Sequence, residues 1–561
     1  MDHQSTISAF RSILLNYDHE SDGSFGCDFA IKRFHKKLEI PNESKSKERK
    51  LSCFQTYIDF DERLAKPLKL SGPWYRARVF LHELLFKFEL APVVFTNGSE
   101  VESTRGFNSI EQKLMRSHWS CTVDCFDLWA EIAYNTRAIR CAARRRFDRR
   151  MLRIGKSPRE VERDIWLKVK GLKNSKFLAF KFKLAHVTEQ VMGSRFSTVR
   201  KNNEKDRPID LQPLCNMLVQ RCIGNGIREL LKGKLGIDLN HLAEKHRLLI
   251  SNLLNATLDC TNASDSISCA LCEFSFPRKF YNLLMASRTH MTYGLDKQYY
   301  MLNKISSMGN GFTFELMSLL LYAVGKQFDS EFSVFGDDII INSSQAENFI
   351  KVLTEANFVI NKDKSFIAGD FRESCGGNYH RLEGYIESFD FEYPDNILDC
   401  VAVHNKCYLL SKHYATFGRL YQLLHRVTPI ALRGPVPFDT GLYGRASWDV
   451  DLNVDHFWTD KFKGIDIKLN SVESYIRDNW QYDEVKFFHR IAVRPKLASQ
   501  RRLNIRPRHH TGKYFMYLHG GRVVDDILTT NFDVLTPLFV FTGQHYHSVK
   551  LVKSLTKNQA G

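Results

Sequence analysis

The tripeptide Gly336-Asp337-Asp338 places two carboxylates side by side between two short apolar segments. Adjacent like charges repel each other, and this repulsion raises the pKa of one carboxyl unless a positive charge lies between them. A divalent cation supplies such a charge, and carboxylate oxygens favour Mg²⁺ or Mn²⁺ over zinc. An ordinary Asp-rich surface turn is the alternative, and the tripeptide alone does not separate the two.

The residues on both sides of this tripeptide favour β-strands. Aromatic and β-branched residues precede it at Phe332, Val334 and Phe335 and follow it at 339–341, and such residues are typical of strands. Gly-Asp favours a tight hairpin turn. We therefore predict that the two acids lie at the tip of a hairpin that is anchored in a hydrophobic sheet.

A further acidic position lies in NATLDCTNASDSIS, residues 255–268. The pattern predicts a strand that ends at Asp259, followed by a helix start that Asn262 or Ser264 caps. Asp265 fits the first turn of that helix, where the helix dipole favours an acid.

Three acids on neighbouring strands, Asp259, Asp337 and Asp338, would suit two Mg²⁺ ions ~3.5–4 Å apart, with Mn²⁺ as a substitute. Such a pair stabilises both the attacking and the leaving oxygen in phosphoryl transfer. Between these acids lies KISSMGNGFTFELMSLLLYAV, residues 304–324, in which glycines allow close backbone approach before a long apolar helix. The amide of Asn310 can pair with a ribose hydroxyl, although a simple turn-forming role explains it equally well.

The charge of the chain indicates a polyanionic partner. Its 561 residues contain 80 Lys and Arg against 63 Asp and Glu, a formal charge of +17, which points to nucleic acid or an anionic membrane surface. The longest apolar run, residues 316–324, is far shorter than the ~20 residues of a membrane span, and the N-terminus lacks a secretory pattern. We therefore expect nucleic acid and no membrane.

The 13 cysteines follow no framework spacing and indicate reduced thiols in a cytosolic setting. Cys269 and Cys272 lie in a predicted helix without a second pair at zinc-site spacing, so we expect core packing rather than metal binding. His509 and His510, within a basic stretch at 490–513, are expected to be surface residues.

Seven arginines occupy residues 140–153, which we predict to be helical. They are either a solvated helix face or a track for backbone phosphates, which Arg binds bidentately. The segment QAENFIKVLTEANF, residues 345–358, predicts an amphipathic helix, because Phe349, Val352, Leu353 and Ala356 recur at i, i+3, i+4 and i+7. A short strand signal, FVIN, follows it.

The ordered motifs resemble those of one family, the catalytic (beta) subunit of the replicase of leviviruses, the small single-stranded RNA bacteriophages. The matching stretches cover residues 195–380. They are KNNEKDRPI (201–209), GIDLN (236–240), LDCTNASDSIS (258–268), ISSMGNGFTFEL (305–316), FGDDII (335–340) and FRESCG (371–376).

This resemblance implies an α+β fold of right-hand polymerase type, with fingers, a palm made of an antiparallel sheet backed by helices, and a thumb. By position we expect an N-terminal region with fingers over 1–190, fingers with the basic segment that admits nucleotides over 191–250, the palm over 251–395, and the thumb with a C-terminal basic region over 396–561.

The resemblance also implies a role for individual residues. Asp259, Asp337 and Asp338 would bind metal, and Lys364 would be the general acid for pyrophosphate. The residues that would bind substrates are Arg200, Lys201, Lys205 and Arg207 for the triphosphate, Ser264, Asp265, Ser307, Gly309 and Asn310 near the ribose and template, and Arg372 for the nascent strand.

Two positions depart from the pattern that many polymerases share. The place five residues after Asp259 holds Ser264, and the acid follows at Asp265, so either could contact the ribose. Glu204 stands where a lysine is usual, with Lys205 next to it.

The implied function is RNA-dependent RNA polymerase: the chain would copy a viral single-stranded RNA genome from nucleoside triphosphates, with primer-independent initiation. The implied partners are the RNA template, the nascent RNA, host elongation factors Tu and Ts and a host ribosomal RNA-binding protein. The implied location is the cytoplasm of an infected bacterium.

Two rival functions remain open at this point. A reverse transcriptase shares two-metal chemistry, but it would carry an aromatic residue before its Asp pair, where this chain has Gly336. A non-enzymatic RNA-binding or capsid protein would explain the positive charge, but it would not need three acids at strand ends.

Overall fold

The computed structural model describes residues 3–38, 46–95, 99–102, 113, 116, 118–201, 205–389, 391, 393–394 and 397–428. The chain divides into two compact units. Unit 1 comprises residues 1–40 and 387–561, and unit 2 comprises residues 41–386. Glu204, His509, His510 and the basic stretch at 490–513 lie outside the described residues, as does the proposed thumb beyond residue 428.

Unit 1 is helical over its described residues. Its helices are His3–Asn16, Phe25–Leu38, Ile397–Ser411 and Ala415–Val427. Phe10, Phe34 and Phe417 are completely buried in the core that these helices share. Residues 3–38 share this core with residues from the segment 389–427. The predicted division into fingers, palm and thumb stays a prediction.

Unit 2 mixes helices and strands. Its longer helices are Ser46–Arg63, Gly72–Leu84, Phe126–Asn135, Arg137–Arg153, Pro158–Val169, Ser175–Ala185, Leu214–Leu235, Leu242–Leu249, Cys269–Ser275, Arg278–Ser287, Thr313–Gly325 and Ser343–Glu355. Its strands are β1 (Trp119–Cys121), β2 (Thr188–Gln190), β3 (Ser194–Arg200), β4 (Asp206–Leu211), β5 (Asn255–Leu258), β6 (Cys260–Thr261), β7 (Met291–Tyr293), β8 (Tyr299–Met301), β9 (Ser333–Phe335), β10 (Asp338–Asn342), β11 (Val359–Ile360), β12 (Phe371–Ser374), β13 (Gly377–His380) and β14 (Gly384–Tyr385). No helix among the described residues is both long enough and apolar enough to cross a bilayer.

The sheet that carries the acids is antiparallel, in the order β5-β10-β9. Ile339 pairs with Leu258 and Asp338 with Phe335. The three isoleucines 339–341 of β10 are all buried, so alternate side chains are covered on both faces. This follows because successive residues of a strand point to opposite faces. The antiparallel pairing of β10 with β9 and with β5 confirms the predicted hairpin and its antiparallel sheet.

Helices flank this sheet in sequence as predicted. The helix Thr313–Gly325 carries the apolar run, and the helix Ser343–Glu355 buries Phe349, Val352 and Leu353 on one face. The short strand predicted after it is β11, which pairs with β6.

The predicted N-cap was wrong. Asn262 adopts a left-handed backbone conformation (φ 51°) and starts a short 3₁₀ helix, Ala263–Ser266. The helix Cys269–Ser275 begins later, where the hydroxyl of Ser268 accepts a 3.0 Å hydrogen bond from the N–H of Leu271. Cys272 is buried in this helix, which confirms its predicted core role.

Candidate active site

The turn of the acidic hairpin is fixed by Gly336. Its φ is +66°, and a Cβ at this position would lie 2.6 Å from the ring of Phe314. Its N–H also donates a 2.9 Å hydrogen bond to the hydroxyl of Ser318. The backbone of the turn is therefore held against the helix Thr313–Gly325, and Asp337 and Asp338 follow at the start of β10.

Asp259 directly follows β5, the strand paired with β10. Its backbone N–H donates to the hydroxyl of Ser365 at 3.1 Å, and its carboxylate accepts a 2.7 Å hydrogen bond from the amide of Asn361. The N–H of Asn361 donates to the carbonyl of Asp259 in return. Sequence reasoning missed Asn361, which the short strand after the amphipathic helix delivers to this position.

The three carboxylates act on one another. Burial and the charge of Asp259 raise the pKa of Asp337. Burial, Asp337 and Asp259 together raise the pKa of Asp338 to about 6. The sheet thus brings the three predicted acids together, and the negative charge of the neighbouring acids adds to burial in raising the pKa of Asp337 and of Asp338.

In donor type and charge, these acids match a Mg²⁺ or Mn²⁺ site, because hard oxygen ligands suit those ions. Within the described ranges, however, no group of three or more His, Cys, Asp or Glu side chains is placed so as to hold a metal ion. The acids are therefore suited to a cation by chemistry, but they are not preassembled into a complete coordination site.

Basic residues from two other segments reach the acids. β3 and β4 form an antiparallel hairpin in which Arg200 pairs with Asp206 and Val199 with Arg207. The positive charges of Lys364 and Arg207 lower the pKa of Asp337 in opposition to its burial. Lys364 ends a short 3₁₀ helix, Lys362–Lys364.

Lys201 responds to the same charges. Partial burial, Arg207 and Lys364 lower its pKa, while Asp259 raises it; the side chain nevertheless keeps contact with solvent. Arg200, Lys201 and Lys205 are all exposed around the end of this hairpin. The structure therefore brings Lys201, Arg207 and Lys364 to the acids, while Arg200 and Lys205 lie at the same end of the hairpin.

The loop from Ser306 to Gly311 is tightly held. Gly309 has φ +110°, and a Cβ there would meet the carbonyl oxygen of Asp210 at 2.5 Å, so the close approach requires glycine. The side-chain oxygen of Asn310 accepts a 3.1 Å hydrogen bond from the N–H of Phe312. This bond supports the turn-forming role and leaves the NH₂ of the amide as the group suited to a ribose hydroxyl.

Asp265 lies in a buried ion pair. Its carboxylate is 3.2 Å from the ammonium of Lys304, which is completely buried. Ser264, its neighbour, is half-buried. Ser307 is buried, and its hydroxyl lies 3.1 Å from that of Tyr57. Sequence reasoning missed Lys304 and Tyr57.

The structure gives Arg372 a different role from the predicted grip on nascent RNA. Its side chain is only 1 % exposed. The guanidinium donates to six backbone carbonyls, those of Leu253, Asn255, Ile367, Ala368, Gly369 and Phe371. A guanidinium has five N–H groups, so all of its donors are used and at least one N–H is shared between two carbonyls. The side chain therefore stabilises its own loop and the start of β5.

A histidine that sequence reasoning missed lies beneath the acidic hairpin. His246 is completely buried, and its two ring nitrogens lie 2.9 Å from the hydroxyls of Ser333 and Ser374. Burial lowers its pKa to about 4, so the neutral ring donates to one serine and accepts from the other. Next to Ser374, Cys375 lies close enough to Asp338 to lower the pKa of that carboxyl in opposition to its burial. This chain of contacts links β9, β12 and the acid.

The arginine-rich segment forms the helix Arg137–Arg153, as predicted. Arg144 and Arg145 are exposed. Arg146 is buried instead, with its guanidinium 4.0 Å from the ring centroid of Trp119. The cluster therefore divides into exposed charges and one packing residue.

Comparison with known proteins supplies a family for the central segment. The family described as RNA replicase, beta-chain, matches residues 169–384. The RNA-directed RNA polymerase beta chain of Escherichia phage MS2 is 29% identical over 362 residues, which is 62% of each chain. The corresponding beta subunit of Escherichia virus Qbeta is 40% identical over 194 residues, 33% of each chain. The chain thus spans about three fifths of the MS2 relative and about one third of the Qbeta relative.

Solved structures of viral RNA polymerases show only weak likeness to this chain. The polymerase of bacteriophage phi12 is 12% identical, with a TM-score of 0.39 over 85% of this chain and 83% of that one. The polymerase of a human picorbirnavirus is 9% identical, with a TM-score of 0.31 over 52% of this chain and 65% of that one. These scores are too low to support any conclusion about the arrangement of the chain.

The matched segment includes all three acids, the loop at Ser306–Gly311 and Arg372. It also includes the basic hairpin, which is formed by β3 and β4 and carries Arg200, Lys201, Lys205 and Arg207. The mixture of helices and strands in unit 2 agrees with an α+β chain. The resemblance that the motifs predicted is therefore confirmed: residues 169–384 match the family described as RNA replicase, beta-chain, and the chain is similar to the polymerase beta chains of the phages MS2 and Qbeta.

Proposed function

We propose that the chain is an RNA-dependent RNA polymerase that copies the single-stranded RNA genome of a bacteriophage from nucleoside triphosphates. The main support is the meeting of three acids, Asp259, Asp337 and Asp338, with the positive charges of Arg207 and Lys364. Nucleotidyl transfer needs both halves of this arrangement, because the reacting phosphates are negative and a cation must join them to carboxylates.

In this proposal, the 3′-hydroxyl of the nascent RNA loses its proton to solvent water and attacks the α-phosphate of a nucleoside triphosphate. The new phosphodiester forms as the bond to the β-phosphate breaks, and pyrophosphate leaves. Asp259, Asp337 and Asp338 would hold two Mg²⁺ ions, or Mn²⁺ in their place, which supply charge neutralisation at the reacting oxygens when bound. Lys364 would give a proton to the departing pyrophosphate.

The remaining predicted residues bind and orient the substrates. The basic hairpin, with Arg200, Lys201, Lys205 and Arg207, would hold the triphosphate. The loop with Ser307, Gly309 and Asn310, together with Ser264 and Asp265, would recognise the ribose and the template. Arg372 would act only through its loop, since its guanidinium is occupied by carbonyls.

The finer features of the proposal follow from family resemblance. They are a right-hand arrangement of fingers, palm and thumb, initiation without a primer, action in the cytoplasm of an infected bacterium, and partnership with elongation factors Tu and Ts and a ribosomal RNA-binding protein. The β5-β10-β9 sheet would be the core of the palm.

The test is RNA synthesis on a single-stranded RNA template with ribo- or deoxyribonucleotides. We expect ribonucleotide incorporation that Asp337→Asn abolishes while RNA affinity is retained, because the substitution removes one negative charge from the site. Asp164→Asn, at an exposed position of the helix Pro158–Val169, is the matched control and should remain active.

Near-normal incorporation by Asp337→Asn would contradict the role of this acid. Preference for deoxyribonucleotides would indicate a reverse transcriptase. RNA binding without any incorporation, in the presence of the host factors, would favour a non-enzymatic RNA-binding protein.

A further inference from the structure

A completely buried ammonium lies behind the loop that the proposed function places at the ribose. Lys304 is 3.2 Å from the carboxylate of Asp265 and 3.9 Å from that of Asp61. Its nitrogen also lies 3.3 Å from the ring centroid of Tyr57. One positive charge is thus shared by two carboxylates and an aromatic face, away from water.

Backbone pairing fixes Lys304 at this point of the chain. Lys304 forms a β-bridge with Ser268, and the N–H of Ile305 donates to the carbonyl of Ile267 at 2.8 Å. Asp61 accepts hydrogen bonds from the backbone N–H groups of Asn303 and Lys304, at 2.8 and 3.1 Å. The segment that precedes the loop Ser306–Gly311 and the segment that follows Asp265 are therefore joined to each other and to the helix Ser46–Arg63.

Tyr57 connects the two sides of this arrangement. Its ring contacts the ammonium that holds Asp265, and its hydroxyl lies 3.1 Å from that of Ser307. Both hydroxyls are buried, so water does not replace the contact easily. Asp265 and Ser307 come from different segments, and the Tyr57–Lys304 pair sets the distance between them.

We propose that Tyr57, Lys304 and Asp61 are positioning residues for sugar selection: they hold Asp265 and Ser307 where the 2′-hydroxyl of a ribonucleotide is recognised. This inference rests on the proposed function. None of the three needs to contact the nucleotide. Removing one partner from a buried ion pair leaves the other charge uncompensated, so the arrangement depends on all of its members. The 2′-hydroxyl is the group by which a site distinguishes ribose from deoxyribose.

The cleanest perturbation is Tyr57→Phe, which removes one hydroxyl and keeps the ring beneath Lys304. We expect kcat/KM for ribonucleotides to fall roughly two- to tenfold, the range for one lost hydrogen bond. The value for deoxyribonucleotides should stay unchanged, because they lack the recognised group. A purely structural role of Tyr57 would lower both values together.

Tyr300→Phe is the matched control. Tyr300 packs on Phe54 in the same aromatic cluster as Tyr57, but its hydroxyl bonds to Asp296 in an exposed turn. This substitution should leave the ratio between the two sugars unchanged.

A double-mutant cycle with Ser307→Ala locates the effect. If Tyr57 acts through Ser307, the double variant should discriminate no worse than Ser307→Ala alone, since interacting residues are not additive. Independent, additive losses would overturn the proposed coupling. Lys304→Met, if it folds by circular dichroism, should lose more sugar preference than Tyr57→Phe because it also releases Asp265; if it does not fold, Tyr57→Phe decides alone.

The two levels of inference fail differently. Wild-type chain that makes no RNA, with the host factors present, would remove the proposed function. Wild-type chain that prefers ribonucleotides, combined with a Tyr57→Phe variant of unchanged preference, would remove only the positioning role.

Discussion

Asp338→Asn should make the metal-free protein more stable at pH 8. Burial and the charges of Asp337 and Asp259 raise the pKa of Asp338 from 3.8 to about 6. A shift of about two units corresponds to up to about 3 kcal/mol, at 1.36 kcal/mol per unit. Asparagine keeps the size of the side chain and removes the charge that causes this cost.

The sign follows from proton binding. A raised carboxyl pKa means that the folded protein binds the proton more tightly than the unfolded chain does. The free energy of unfolding therefore falls as the pH rises from about 4 through about 6, and the whole cost is present at pH 8. The gain from Asp338→Asn should be largest at pH 8 and should nearly vanish at pH 4.

The assay is urea unfolding in EDTA at both pH values, with the transition midpoint as the readout. Asp164→Asn controls for the loss of an exposed acid. Mg²⁺ added at pH 8 should raise the midpoint of the wild-type protein more than that of Asp338→Asn, because a ligand that binds only the folded state stabilises it. A variant that is no more stable than wild type at pH 8, or that gains equally at both pH values, would refute the electrostatic reasoning.

Two further predictions concern RNA and sugar. Replacing Arg144 and Arg145 with Gln should reduce the steepness of log affinity against log salt concentration by roughly 0.7 per arginine for single-stranded RNA. An unchanged slope would assign this exposed pair to a solvated helix face. Arg146→Gln should destabilise the fold instead, because that side chain is buried. Asn310→Ala should reduce kcat/KM for ribonucleotides more than for deoxyribonucleotides, by about 1–3 kcal/mol or roughly 5- to 150-fold. Equal losses for both sugars in Asn310→Ala would leave Asn310 with a loop-forming role alone.

Local patterns predicted the elements that carry the acids. The hairpin at Gly336 and the helix with Phe349 depend on strand, turn and helix preferences that operate over a few residues, and both were predicted from such windows. The N-cap at Ser268 was missed because Asn262 takes a left-handed conformation that lets the chain turn before the helix begins.

Residues whose roles depend on distant partners were not predictable in this way. Tyr57 and Asp61 meet Lys304 across more than 200 positions of sequence, and periodicity does not encode such pairings. Arg372 looked like a cationic contact for RNA because sequence reports its charge, whereas its burial and its carbonyl partners depend on the folded loop.

The composition of unit 1 has a consequence for synthesis on the ribosome. Ile397 follows Leu38 by 359 positions, so the two N-terminal helices emerge long before the helices that complete their core. At about 5–20 residues per second, the delay is roughly 20–70 s. During that time, the apolar faces that include Phe10 and Phe34 lack their final partners, while the continuous unit 2 can fold as soon as residue 386 is free. The acids can therefore assemble before the chain has closed its other core, and the two N-terminal helices are open to misassociation during that time.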